Sequence, residues 1–368
     1  MIPINLPKIG EEEVQAVVKV LRSGMLTSGL GAGPQVTEFE KNFADFAGAK
    51  HAVAVNTGTA ALHSAVLAVG VKQGDEVILP SFTFVATAEA VVLAGAKPVF
   101  ADIDPQTYNL SPSAVEKAVT KKTKAIMPVD LYGFSADMKP LKEIAAKHGL
   151  ALVEDAAQAH GTTYERKPAG AFADAACWSL YASKNMTTGE GGVTTTNNDQ
   201  IAETLRMIRT HGEKAKYSSL MLGTNYRMSE IQAAIGNVQL QKLPSFVAKR
   251  RQNAQQLTKI LEKNGKLILP YESQDRLLHS WYLYTAKLNA GTEEERNHVV
   301  EELKKKGIGA EVYYINPVHQ MPFYRENFGS AKLPETEKAS KQVFSLPIHP
   351  GVTEEQVRFI GETVLSLL

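Results

Sequence analysis

A single lysine stands in "SLYASKNMTTGEGG" (179–192), a run of small and polar residues that closes on glycines just after a strand-like segment. Nothing in its neighbours gives a packing reason for an amine. Lys184 is either a solvated loop residue or an amine kept for chemistry, as nucleophile or proton carrier. Three further stretches carry suitable residue types. In "NTGTAAL" (56–62), Gly58 lets backbone approach a ligand and Thr59 offers a hydroxyl at the head of a helix. Exposed N–H groups and the helix dipole favour an anion there, and a plain N-cap is the alternative. "PSFTFVATAEA" (80–90) offers Phe82 and Phe84, which are either core residues or a platform for a flat ring. "VEDAAQAHG" (153–161) ends a strand on Asp155, with Gln158 and His160 following. A buried carboxylate is costly without a positive partner, so Asp155 either caps the next segment or meets a cation. Ser179 adds a hydroxyl suited to a phosphate.

Each signal is ambiguous alone, but together they form one set. An anion cradle, an aromatic platform, a carboxylate and a free amine are the parts needed to hold pyridoxal phosphate. Its aldehyde bonds to a lysine, and a carboxylate keeps its ring nitrogen protonated. The glycines after Lys184 let the chain turn tightly beneath such a ring. A lysine amine in water holds its proton up to about pH 10.4, so desolvation and a cationic neighbour must favour the neutral base.

These residues need a frame. Seven short β-branched runs read as strands: 51–56, 75–80, 97–103, 124–129, 150–155, 176–180 and 192–196. Helix-like segments lie between most of the first five, so the pattern predicts an α/β fold with a mostly parallel seven-stranded sheet and helices on both faces. The last two strands have short connections, so the sheet is open to being mixed there. Ligands gather at the carboxyl ends of parallel strands, where all four stretches fall. After "LPSF" (243–246) the texture changes. A linking helix, a strand at 280–289, a charged helix and a strand in "IGAEVYYIN" predict a smaller α+β domain. The boundary falls at Pro244, giving 1–243 and 244–368. The helix in "GEEEVQAVVKVLRSG" is expected to pack on one of the two.

Composition bounds the setting. The 368 residues carry a net charge of +1, which argues against a nucleic-acid partner or an acidic membrane surface. Cys177 is the single cysteine, so no intrachain disulfide forms. No apolar run reaches the roughly 20 residues that span a bilayer, and the N-terminus lacks a signal-peptide pattern. The expectation is a cytoplasmic protein without a metal.

The chain resembles the sugar aminotransferases of the DegT/DnrJ/EryC1/StrS family, of fold-type-I architecture. The likeness runs through "NTGTAAL", "PSFTFVATAEAVVLAGAKPVFADID", "VEDAAQAHG", "SKNMTTGEGG" and "LGTNYRMSEIQAAIGNVQL". It implies that Lys184 is the catalytic lysine bonded to the cofactor. It also implies that Asp155 meets the ring nitrogen, Gln158 lies near the ring hydroxyl and Phe84 stacks on the ring. Gly58, Thr59 and Ser179 then hold the phosphate. Asn225 reaches the phosphate of a neighbouring subunit, which makes a homodimer with shared active sites. Related sugar dehydratases carry histidine in place of this lysine, so Lys184 favours transamination. The implied reaction moves an amino group from L-glutamate to a nucleotide-linked keto-sugar, such as a 4-keto-6-deoxyhexose. A dehydratase and a non-catalytic regulator are the alternatives, and the absence of a basic DNA-binding extension weakens the second. The stretches 24–29, 209–219 and 313–324 are either solvated loops or the lining of a nucleotide-sugar cleft, with Arg227 and His319 as candidate substrate contacts. Ile231, Ala234, Ile235, Val238 and Leu240 recur at helical spacing, as core or as a two-fold interface.

Overall fold

The computed structural model describes residues 1–29, 31–271 and 277–368. Its centre is a seven-stranded sheet of β1 (His51–Val55), β2 (Glu76–Pro80), β3 (Lys97–Ala101), β4 (Thr123–Ile126), β5 (Ala151–Asp155), β6 (Ala175–Ser179) and β7 (Gly192–Thr196). Their order across the sheet is β1-β7-β6-β5-β4-β2-β3. β7 runs antiparallel to β1 and β6, and every other pairing is parallel. The sheet is therefore mixed only at the late strand with a short connection.

This topology assembles the site. β1, β2, β5 and β6 all point the same way, so their carboxyl ends share one edge. The reversed β7 brings its first residue, Gly192, to that edge, where it pairs with Val55 and Ser179. A Cβ on Gly192 would lie 2.2 Å from the Thr57 carbonyl oxygen, so only glycine fits. That is the physical reason for the last glycine of the lysine stretch.

Helices cover the sheet. α1 (Glu11–Ser23) and α2 (Pro34–Ala47) precede β1, and α3 (Gly58–Ala68) follows it. α4 (Ala86–Leu93), α5 (Pro112–Ala118) and α6 (Met138–His148) make parallel crossovers, and α7 (Asp199–Arg209) follows β7. α3 is buried on nearly every side, and its run "TAALHSAV" packs between the sheet and α4. α6 stops at Gly149, whose φ of 65° suits a glycine.

α8 (Glu230–Leu261) is a single 32-residue helix that continues through Pro244. The boundary expected at Pro244 thus falls inside it. Leu243 and Val247 join the core around Phe39, Phe43 and Trp178, while Ala254, Leu257 and Leu261 enter a second core. That second core holds β8 (Leu267–Ile268), β9 (Tyr284–Leu288), α9 (Glu293–Lys305), β10 (Val343–Leu346) and α12 (Glu354–Leu367). α10 (Pro322–Phe328) and α11 (Pro334–Gln342) lie before β10. α1 packs on α8, and Ile2 inserts into the C-terminal core beside Ile308.

Two strand expectations need correction. The strand at 280–289 begins only at Tyr284, because Ser280 and Leu283 bond instead to the Gly133 and Tyr132 carbonyls. "IGAEVYYIN" forms single bridges at Ile308 and Glu311 and no continuous strand. It leaves the sheet so that Tyr313 and Tyr314 reach the central edge, where Tyr132 and Gln158 bond to them.

Candidate active site

The cradle forms where β1 meets α3. Thr57 caps the helix, accepting from the Ala60 N–H at 3.0 Å. Thr59 is therefore not the cap and stands in the first turn. A Cβ on Gly58 would lie 2.8 Å from Ser179 Cβ and 3.0 Å from Ser179 Oγ. The bare Gly58 backbone and the Ser179 hydroxyl are thus neighbours at a helix N-terminus, which is the chemistry of a phosphate site.

Asp155 ends β5 and is buried. Its carboxylate accepts from Thr87 Oγ1 at 2.7 Å and from the Ala157 N–H at 3.1 Å. Burial pushes its pKa up, against those hydrogen bonds and the Lys184 charge, which pull it down. A buried carboxylate held this way gains from a further positive partner. Gln158 is also buried, accepting from the Tyr132 N–H at 2.7 Å and donating to the Tyr314 hydroxyl at 3.2 Å.

The two phenylalanines part company. Phe82 is fully buried among Tyr108, Tyr132 and Tyr314, whereas Phe84 is 58% exposed. Only Phe84 offers a free face to a ring, and Tyr314 lies beside it with centroids 6.4 Å apart.

Lys184 is half-buried, and its Nζ lies 4.7 Å from the centroid of the Tyr282 ring. The Tyr282 hydroxyl lies 2.9 Å from Ser183 Oγ, so the tyrosine is fixed to the loop that carries the lysine. Asn185 donates to the His160 and Ser280 carbonyls, which pins the next residue. His160 itself is fully buried against Trp178, with its pKa pushed down to about 3 by burial and by the Lys184 charge.

The structure thus gathers Gly58, Thr59, Ser179, Asp155, Gln158, Phe84 and Lys184 around one sheet edge. Arg227 is half-buried and its backbone bridges Val55, next to the cradle. Asn225 is exposed, and its backbone is fixed by Thr210 and Asn56. His319 stands apart. It is buried, with Nδ1 2.7 Å from Ser81 Oγ and Nε2 3.5 Å from Glu337, so protein groups surround it. Thr87, Tyr132 and Tyr282 were not among the expected site residues, whereas Tyr314 lies in the stretch 313–324 named as a possible cleft lining. Thr87 left a weak trace, a hydroxyl four places after Thr83 in the stretch that follows β2. Tyr132 and Tyr282 left none, since they arrive from distant segments.

The donor set fits a phosphorylated pyridine aldehyde. It provides a cradle that a Cβ would fill, a buried carboxylate, an open aromatic face and an amine whose charge bears on that carboxylate. Among the described residues no group of His, Cys, Asp and Glu would hold a metal ion, and no helix is long and apolar enough to cross a membrane.

Known proteins place the chain. A pleiotropic regulatory protein of Geobacillus stearothermophilus is 41% identical over 98% of this chain and 96% of its own length. The GDP-perosamine synthase of Caulobacter vibrioides is 38% identical over 97% and 95%. Among solved structures, the putative sugar aminotransferase Spr1654 of Streptococcus pneumoniae in its PLP-form superposes with a TM-score of 0.94. The two share 29% identity, over 100% of this chain and 97% of that one. The sequence profile of one family matches residues 7–365. The chain belongs to the DegT/DnrJ/EryC1/StrS aminotransferase family.

Proposed function

We propose that the chain is a pyridoxal-phosphate-dependent transaminase that moves an amino group from L-glutamate to a nucleotide-linked keto-sugar, a 4-keto-6-deoxyhexose. The observation that carries this reading is the pairing of a buried carboxylate, Asp155, with a half-buried amine, Lys184, at the edge where Gly58 and Ser179 meet. The Caulobacter relative, a GDP-perosamine synthase, supports the sugar, and the PLP-form of the Streptococcus structure supports the cofactor.

When bound, the cofactor supplies a protonated pyridine ring that accepts electrons from the carbon losing its proton. The residues of the chain then divide the work. The Gly58 and Thr59 backbone and the Ser179 hydroxyl bind the phosphate. Asp155 holds the proton at the ring nitrogen, Gln158 bonds the ring hydroxyl, and Phe84 covers one face. Lys184 Nζ takes the substrate's proton as a neutral base and returns it as an acid. Arg227 is a candidate substrate contact, and His319 is a second, with Nδ1 held by Ser81 and Nε2 facing Glu337.

Adding L-glutamate to the purified protein tests the donor. The absorbance is expected to pass from the pyridoxal to the pyridoxamine form, and an unchanged spectrum sinks transamination. A coupled assay over a panel of nucleotide keto-sugars then identifies the acceptor. A regulator on the same scaffold is a second reading, favoured by the name of the Geobacillus relative. The same spectrum separates the two, since a sensor has no need of turnover at Lys184.

We also propose that two protomers share each site. Ile231, Ile235 and Val238 of α8 remain half-exposed while Asn237 and Gln239 are buried, so the apolar side of this stretch is not used up within the chain. The exposed Asn225 is then free to serve a partner's phosphate. An Asn225→Ala chain and a Lys184→Ala chain, inactive or weak alone, should regain activity when mixed. One site of the mixed dimer carries both lesions and the other carries neither. Subunit exchange without recovery means that Asn225 serves its own chain.

A further inference from the structure

The stretch after β2 does two things at once. Phe84 is exposed at the site, while Thr83 and Thr87 on either side of it are each 1% exposed. Thr87 lies in the first turn of α4 and donates its hydroxyl proton to Asp155 Oδ2 at 2.7 Å. Thr83 Oγ1 lies 2.9 Å from Thr87 Oγ1. A hydroxyl has one proton to give, and that of Thr87 goes to the carboxylate. Thr83 is therefore the donor of the second bond. The direction is fixed: Thr83 to Thr87 to Asp155.

We infer that Thr87, backed by Thr83, is a positioning residue that aims the Asp155 carboxylate and keeps it an anion for the cofactor's ring nitrogen. The inference rests on the function proposed above. The surroundings explain why Asp155 needs such help. The Asp155 charge bears on Asp130, Glu154, Cys177 and Tyr314 around it, and the Lys184 charge offsets its own burial only in part. Asp130 and Glu154 are themselves fully buried and share a side-chain hydrogen bond, and burial pushes both pKa values up. Besides the Ala157 N–H, the Thr87 hydroxyl is the donor that holds Asp155 in this acidic setting. Hydrogen bonds between neighbours in a buried chain strengthen one another, so Thr83 adds to the effect of Thr87 without touching Asp155.

The test uses pyridoxal phosphate labelled with 15N in the ring, bound to the full-length protein. The 15N shift reports protonation of the ring nitrogen, and fluorescence titration gives the affinity. Thr87→Val keeps the shape of the side chain and removes the hydroxyl. It is expected to move the ring nitrogen towards its unprotonated shift and to weaken cofactor binding about tenfold to a hundredfold. Thr87→Ser should restore both, which a purely packing role would not require. Thr83→Val leaves Thr87 in place and should give a smaller change of the same sign. If Thr87→Val does not fold, Thr83→Val alone decides, and a wild-type 15N shift there overturns the inference. A wild-type shift in folded Thr87→Val overturns it as well. If the unaltered protein takes up no cofactor, the proposed function fails before this inference is reached.

Discussion

The site has two halves with different origins. The rim of the parallel sheet supplies Gly58, Asp155, Ser179 and Lys184, each within five residues of its own strand end. The facing wall supplies Tyr132, Tyr282, Tyr313 and Tyr314, drawn from segments nearly two hundred residues apart. The rim is local: a parallel sheet aligns its carboxyl ends whatever the remainder of the chain does. The wall exists only because the C-terminal part folds back. Ser280 and Leu283 bond the carbonyls of Gly133 and Tyr132, and the Tyr132 hydroxyl donates to the Tyr313 carbonyl. On the function proposed above, the rim holds the groups that react, and the wall, through Tyr282, sets where the lysine amine rests.

If that division is right, lesions in the rim should remove chemistry and lesions in the wall should only detune it. Lys184→Ala is the extreme case. It should lower kcat by about 10³-fold or more, since the proton carrier is gone. Borohydride should no longer fix the cofactor to the chain, while the thermal unfolding curve should stay in place. A cofactor still fixed by borohydride puts the covalent bond elsewhere. Asp155→Asn comes next. It keeps a hydrogen-bonding group and loses the charge, so cofactor should remain and the half-reaction with glutamate should slow by about 10²-fold. A near-normal half-reaction rate would reduce Asp155 to a cap.

The wall is probed at Tyr282. Tyr282→Leu removes the ring face under the Lys184 amine, an interaction of about 0.5–2 kcal/mol. A fall in kcat of about threefold to thirtyfold is expected, with Tyr282→Phe close to the unaltered protein because the ring remains. Equal losses in both variants would assign the effect to the hydroxyl and its contact with Ser183.

The last effect concerns stability rather than rate, at the base of the rim. His160 is buried with both ring nitrogens unpaired, and its pKa is pushed down to about 3. Between pH 6.5 and that value the unfolded chain binds a proton that the folded chain refuses, so stability falls as pH falls. From pH 7 to pH 5 this costs about 2 kcal/mol. Denaturant titrations at the two pH values should show a loss smaller by about that amount in His160→Leu than in the unaltered protein, the remainder coming from other buried histidines such as His279 and His349. An equal loss in both proteins would place the acid sensitivity at another buried group, such as His279.

Much of this was legible in advance because it is local. β-branched runs between helix stops give strands, and a parallel sheet needs no more than their alternation with helices. The position of Asp155 at a strand end and of Gly58 at a helix start followed from short windows. The necessity for glycine at 192 was partly visible as a tight turn, but its cause was not. It lies in the approach of the carbonyl of Thr57, the N-cap of α3, which stands 135 positions earlier in the chain.

Other features had no local signature. Phe82 and Phe84 are alike in sequence, and only packing against Tyr108 and Tyr132 buries the first and leaves the second open. The change of texture after "LPSF" placed a boundary at Pro244, and one helix, α8, runs through that position with a core at each end. "IGAEVYYIN" has strand-forming residues, but the hydrogen bonds of Tyr132 and Gln158 draw it off the sheet. The sequence by itself determined which residues could react and which edge they share, since strand direction and helix caps are set within a dozen residues. Tertiary structure decided which of them are exposed, which are aimed by a neighbour, and that His319 sits against Ser81, since those depend on contacts between residues far apart in the chain.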